Sequence, residues 1–124
     1  MIAAIRRGSV FLVNDNVLTL PPNDKRSYHP QRFVVVLSGN ARNADPDWKT
    51  VLVVPTSSQS KLATSYCVKL GKGVGNLPKD CWARVTMPQP ILKTDLRDRT
   101  GELPPRYLDL ITNGILDYMG LLDD

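Results

Sequence analysis

Two runs leave little freedom in how this chain can fold: Phe33–Leu37 (FVVVL) and Val51–Val54 (VLVV). Valine dominates both, and its branched Cβ restricts χ1 and favours an extended backbone. Neither run alternates with polar residues, so each predicts a central strand covered on both faces. Ser38-Gly39-Asn40 closes the first. Pro55, which cannot donate to a ladder, is expected to end the second. Three further runs read as strands: Ser9–Val13 (SVFLV) after Gly8, Ser65–Leu70 (SYCVKL) and Cys81–Val85 (CWARV). At period two, Tyr66, Val68 and Leu70 share one face of the second of these. In the third, Cys81, Ala83 and Val85 share one face, and Trp82 and Arg84 the other.

The period changes after Leu103-Pro104-Pro105. From there Tyr107, Leu108, Ile111, Ile115, Tyr118, Met119 and Leu122 recur at helical spacing, predicting a C-terminal helix over about 104–119. Proline suits a first helical turn, where its missing N–H would be unpaired anyway. Gly114 costs such a helix about 1 kcal/mol relative to alanine. It is therefore expected where the helix packs closely on the sheet or on a second subunit. Short strands followed by one helix make a mainly β fold, a barrel or sandwich with a C-terminal helix. With 124 residues and no internal repeat, the chain reads as a single domain spanning 1–124. Its first loop, 14–31, is long for a connection between neighbouring strands, and such loops are commonly functional or disordered.

Sixteen basic residues against twelve acidic ones give a net charge of +4. That excess suits a phosphate-bearing partner and equally suits plain solubility. The longest apolar run, FVVVL, falls far short of the roughly 18 residues a membrane span needs. The opening MIAAIRRGS is charged too soon for a signal peptide. No membrane partner is expected, and a cytoplasmic location is. Cys67 and Cys81 are then expected as reduced thiols. They follow no metal-ligand spacing, and the single histidine, His29, does not complete a usual zinc set, so neither a metal nor another cofactor is expected.

Arg32 stands directly before the first valine run, and Thr56-Ser57-Ser58-Gln59 follows the second. If those strands are antiparallel neighbours, the start of one lies beside the end of the other, a donor-rich site suited to a phosphate. A hydrogen-bonded turn also accounts for TSSQ taken alone. Trp82 beside Arg84 on a non-core face suggests a platform that stacks on bases, or a tryptophan packed beneath the arginine stem. The first loop carries Asp24, Lys25, Arg26, Tyr28 and His29, a mix suited to a polyanion and also ordinary for a solvated loop.

Taken in order, RRGSVFLV, QRFVVVLS, VLVVPTSSQ, CWARVTMPQPI and LPPRYLDLI resemble the MazF/Kid (PemK) toxins of bacterial toxin–antitoxin systems, from about Arg7 to Leu122. No single stretch is specific; the ordered set carries the resemblance. It implies a small SH3-like barrel of the MazF/Kid/CcdB kind. It also implies an endoribonuclease that cleaves single-stranded RNA (mRNA) without a metal, forms a homodimer and is inhibited by a cognate antitoxin. Arg32 matches the family arginine that contacts the scissile phosphate, and Ser57 the Thr or Ser of a P-x-T/S motif that helps hold it. Arg84 matches the arginine of an R-x-D acid–base unit, but Thr86 stands in the place of the aspartate. Phe33 replaces a proline usual in the family, and the first loop lacks the family's G-x-E-Q-x-G stretch.

The chemistry so implied is attack by a ribose 2′-OH on the adjacent phosphate, giving a 2′,3′-cyclic phosphate and a 5′-OH. It needs a base, cations for the phosphorane and an acid for the leaving oxygen. A threonine hydroxyl cannot replace a carboxylate base near neutral pH. His29, the one side chain with an unperturbed pKa near neutrality, is the candidate base, and an exposed loop histidine is the plain alternative. Asp24 is a weaker candidate. The candidate catalytic residues are thus Arg32, Ser57, Arg84 and His29, with Thr56, Ser58, Gln59, Trp82, Thr86, Lys25 and Arg26 as candidate RNA contacts. The competing reading is a non-cleaving barrel of the same fold that binds RNA or a protein, as a CcdB-like gyrase poison or a degenerate toxin. Thr86 favours it.

Overall fold

A computed structural model describes residues 4–20, 30–59 and 66–122 of the chain. Seven strands, all antiparallel, make up the sheet: β1 (Ser9–Asn14), β2 (Gln31–Val36), β3 (Thr50–Ser57), β4 (Val68–Leu70), β5 (Cys81–Ala83), β6 (Gln89–Leu92) and β7 (Leu96–Glu102). They lie in the order β4-β5-β3-β2-β1-β7, with β6 paired to β3. A short helix, α1 (Asn40–Ala44), joins β2 to β3, and α2 (Pro105–Tyr118) follows β7. This is the expected mainly β fold with a C-terminal helix. The sheet is barrel-like but does not close on itself.

The two valine runs are central strands, and both faces are covered as their unbroken apolarity predicts except at Leu52, which is 40% exposed. Val35 and Val54 point into one core with Val10, Leu70, Cys81, Ala83 and Val85. α2 covers that core with Leu108 and Ile111. Val34, Val36, Val51 and Val53 point into a second core with Phe11, Val13, Leu18 and Ile91. Tyr66 and Val68 pack against the first core, whereas Lys69 is exposed, so the alternation of that strand holds. Pro105 occupies the first turn of α2. A methyl group on Gly114 would stand 3.2 Å from Val85 Cγ2, so the glycine lets α2 approach the sheet side of the fold. The last turns of the helical pattern differ: Tyr118, Met119 and Leu122 are more than half exposed.

β6 and β7 were not expected, β4 and β5 are shorter than expected, and two further boundaries that depart from the expectation shape the site. β2 begins at Gln31, so Arg32 lies within the strand, opposite Val13 of β1, instead of before it. β3 runs through Pro55 to Ser57 instead of ending at the proline. The pairings explain the tolerance. Pro55 lies opposite Val34 of β2, and its carbonyl accepts the Arg84 N–H at 2.8 Å from the other side. In an antiparallel strand a residue's N–H and C=O point to the same neighbour. The missing proline donor therefore faces the stretch Arg84–Pro88, where β5 has ended and β6 has not begun. The bond that the proline cannot give is replaced there, since the Arg84 carbonyl accepts the Met87 N–H at 2.9 Å.

After β1 the chain makes a single 3-10 turn at Asp15–Val17. The segment beyond it is pinned by Gln89, whose side-chain amide accepts the Thr19 N–H at 2.8 Å and donates to the Thr19 carbonyl at 3.0 Å. Asp24, Lys25, Arg26 and His29 lie outside the described residues.

Candidate functional site

The β2–β3 ladder runs Val36↔Val53, Val35↔Val54 and Val34↔Pro55. Beyond it, side chains take over the hydrogen bonding. Thr56 Oγ1 donates to the Phe33 carbonyl at 2.9 Å, and Arg32 Nη1 donates to the Thr56 carbonyl at 2.8 Å. The guanidinium thus occupies the place where the two strands part.

Its other side meets a carboxylate. Arg32 Nε donates to Asp15 Oδ1 at 2.7 Å, and Nη2 to Asp15 Oδ2 at 3.4 Å. The Asp15 side chain is fully buried and that of Arg32 is 11% exposed. A pair this dry pays for desolvation only through good geometry and further hydrogen bonds. The fork on Asp15 and the Thr56 carbonyl provide both. These contacts engage three of the five guanidinium N–H donors, leaving two. Asp15 was missed in the sequence because, next to Asn14, it looks like one of the polar residues that open a loop. A readable signal existed: it directly follows the apolar strand that forms a hairpin with the strand of Arg32.

Arg32 lines a cavity of about 260 Å³ at this end of the sheet. Thr56, Ser58, Phe33, Leu77 and Cys81 share its wall. The expectation that Arg32 meets the TSSQ cluster is therefore realised through Thr56 and Ser58. Ser57 points to the opposite face of β3: it is buried, pairs with Trp82 of β5, and its Oγ accepts the N–H of exposed Gln59 at 3.2 Å. Burial pushes the Cys81 thiol above its usual range, partly offset by a hydrogen bond with Thr56. The cavity wall there is neutral.

Trp82 is half-buried, with Lys69 Nζ 5.8 Å from its ring centroid. Cys81, Ala83 and Val85 are buried beneath it, so the predicted two-faced strand is present, although β5 itself ends at Ala83. Arg84 and Thr86 lie in a tight turn closed by Met87 N–H to the Arg84 carbonyl at 2.9 Å. By register Arg32, Ser57, Trp82 and Arg84 belong to one face of the sheet. Among the described residues the Arg84 guanidinium has no hydrogen bond or ion pair, so its charge is free to turn.

Residues 6–119 match the model of a family described as PemK-like, MazF-like toxin of type II toxin–antitoxin system. Among solved structures, MazF from Deinococcus radiodurans superimposes with a TM-score of 0.72 at 17% identity, over 96% of this chain and 99% of that one. An endoribonuclease in complex with its cognate antitoxin, from a mycobacterial species, gives 0.67 at 21% identity, over 97% of each chain. The Mycobacterium tuberculosis toxin MazF-mt6 gives 0.70 at 16% identity, over 91% of this chain and 97% of that one. At such identities the structural likeness is one of fold. Among curated proteins none matches the sequence significantly.

Proposed function

Since the chain belongs to the PemK-like, MazF-like toxin family of type II toxin–antitoxin systems, we propose that it is an endoribonuclease that cuts single-stranded RNA and is held inactive by a cognate antitoxin. One observation carries the reading: an arginine fixed from behind by a fully buried carboxylate, at the lining of a cavity where β2 and β3 part. Such a preset cation stabilises developing negative charge without reorganising during the reaction. Support also comes from solved structures of the same fold whose names include endoribonuclease and antitoxin complexes.

In the proposed reaction the ribose 2′-oxygen bonds to phosphorus as the P–O5′ bond breaks. The 2′ proton passes to a base, and the leaving O5′ takes a proton. The products are a 2′,3′-cyclic phosphate and a 5′-OH end. Arg32 balances charge on the phosphorane, while Thr56 and Ser58 border the phosphate. Ser57 shapes the strand face that carries Trp82 and Arg84. Arg84, the match to the family's acid, turns its unpaired guanidinium toward the leaving oxygen. The Asp15 side chain is fully buried and forks onto Arg32, so its part is to orient the arginine, and the 2′-OH meets another group. His29 supplies the base that Thr86 cannot. No metal enters this scheme, and two copies of the chain form the working unit.

Incubating the purified protein with a mixed-sequence RNA in EDTA and mapping the product ends tests the reading. Cleavage leaving 5′-OH ends is expected. RNA that stays intact yet binds in a salt-dependent way would favour the non-cleaving binder, the reading that Thr86 supports. Replacing His29 with alanine should lower the rate at neutral pH. An unchanged rate would remove His29 from the mechanism.

A further inference from the structure

We propose that Gln89 is a positioning residue for the cleavage site: its side-chain amide sets the turn that carries Asp15, and through that carboxylate the guanidinium of Arg32. This rests on the reading of the protein as a ribonuclease, and adds how a residue of β6, outside the cavity wall, controls the fixed cation. The local sequence makes Gln89 a stiff post. Pro88 and Pro90 flank it. Proline fixes its own φ and lacks an N–H, and the residue before a proline is confined to extended backbone. Gln89 also pairs with Val53 of β3, so its side chain leaves from a point with little freedom. Nε2 donates to the Met87 carbonyl at 3.2 Å, which fixes the amide itself.

What that amide holds is backbone. Oε1 accepts the Thr19 N–H at 2.8 Å while Nε2 donates to the Thr19 carbonyl at 3.0 Å, the pair of bonds that a neighbouring strand would supply. Two bonds to one residue fix its rotation as well as its place. Two carbonyls at one end of the amide and an N–H at the other also settle which end is nitrogen. An ionised carboxylate could not do the same, since it accepts and does not donate. Thr19 lies four residues after Asp15, and the segment between them has little slack. The 3-10 turn Asp15–Val17 is closed by the Leu18 N–H on the Asp15 carbonyl at 3.2 Å, and Leu18 is buried in the second core. On the near side Asp15 follows Asn14, which pairs with Gln31 of β2. The carboxylate thus hangs on a turn held at both ends, and Gln89 is a polar hold at the far one. Its bonds to Thr19 are exposed, where water competes and the net gain in stability is small. Their contribution is to place Asp15, which forks onto Arg32 at 2.7 and 3.4 Å.

The test compares the full wild-type chain with Gln89→Ala and the near-isosteric Gln89→Glu. The readouts are RNA cleavage, urea unfolding and the NMR signal of Arg32 Nε–H, which reports the bond to Asp15. Both variants should keep the wild-type unfolding midpoint, lower kcat about tenfold and leave KM for RNA within about twofold. The Arg32 Nε–H signal should shift or broaden in both, with the Val35 and Val54 methyls unchanged. In an Asp15→Asn background, Gln89→Ala should lower kcat by less than about twofold further, because the path to Arg32 is already broken. A wild-type kcat in both variants, an unmoved Arg32 signal, or a full tenfold loss added to that of Asp15→Asn would overturn the proposal. So would midpoints lowered as far as by Asp15→Asn, which would assign Gln89 to folding. The two readings fail separately. Wild-type protein that leaves RNA intact sinks the nuclease, and the Arg32 signal then still decides whether Gln89 sets that arginine.

Discussion

The two arginines aligned with family site residues sit on one face of the sheet in opposite physical conditions. Arg32 is nearly buried, clamped by Asp15 and the Thr56 carbonyl where β2 and β3 part. Arg84 lies on the turn after β5, half-buried and without a side-chain partner among the described residues. The first is part of how the protein holds together, and its charge is oriented before any ligand arrives. The second contributes little to the fold and remains free to follow a moving proton or phosphate. A role in charge stabilisation fits the fixed cation, and a role at the leaving group fits the free one.

The largest test of this contrast is Arg32→Ala. It should cut RNA cleavage about 1000-fold. It should also cost about 3–5 kcal/mol, because it takes the guanidinium fork away from a buried carboxylate. Cleavage time courses and urea unfolding would read the two effects, and full stability would show that Asp15 does not need Arg32. Asp15→Asn comes next, with about 3 kcal/mol lost as the guanidinium loses its charged partner. Cleavage should drop about 100-fold through misplacement of Arg32. A rate near wild type would mean that Arg32 orients itself without the aspartate.

Arg84→Ala should separate the two sites most clearly. Its stability should stay within about 0.5 kcal/mol of wild type, while cleavage falls about 100-fold. A stability loss as large as that of Arg32→Ala would erase the distinction. The smallest expected effect belongs to Cys81, beside Arg32. Burial raises its pKa above the ordinary 9.0, so the unfolded chain ionises first. The associated stability is present below pH 9.0 and is lost as pH climbs beyond it. Cys81→Ala should flatten that alkaline decline in unfolding measurements, and an identical decline in the variant would assign it to other groups.

Much of the fold was legible because side-chain periodicity reports burial directly. The valine runs became central strands covered on both faces except at Leu52, Cys81–Ala83 of CWARV became a two-faced strand, and the change of period after Pro104-Pro105 became α2. Less of the site was legible. Pro55 read as a strand end, since its missing donor is a local fact, while the gap it faces between β5 and β6 is not. The TSSQ cluster was placed beside Arg32 as one group, but strand parity divides it, setting Ser57 on the face of Arg32 and Trp82 and leaving Thr56 and Ser58 on the cavity side.

By itself the sequence determined where β1 to β5 and α2 lie, which of their faces are apolar and which arginines stand near strand ends, because these follow from residue type and spacing along the chain; β6 and β7, which carry no such apolar pattern, came only with the structure. Only the tertiary structure decided what Arg32 touches. Its carboxylate partner lies seventeen positions earlier and its carbonyl partner twenty-four positions later. No periodicity connects them; the register of β1, β2 and β3 brings all three to one place.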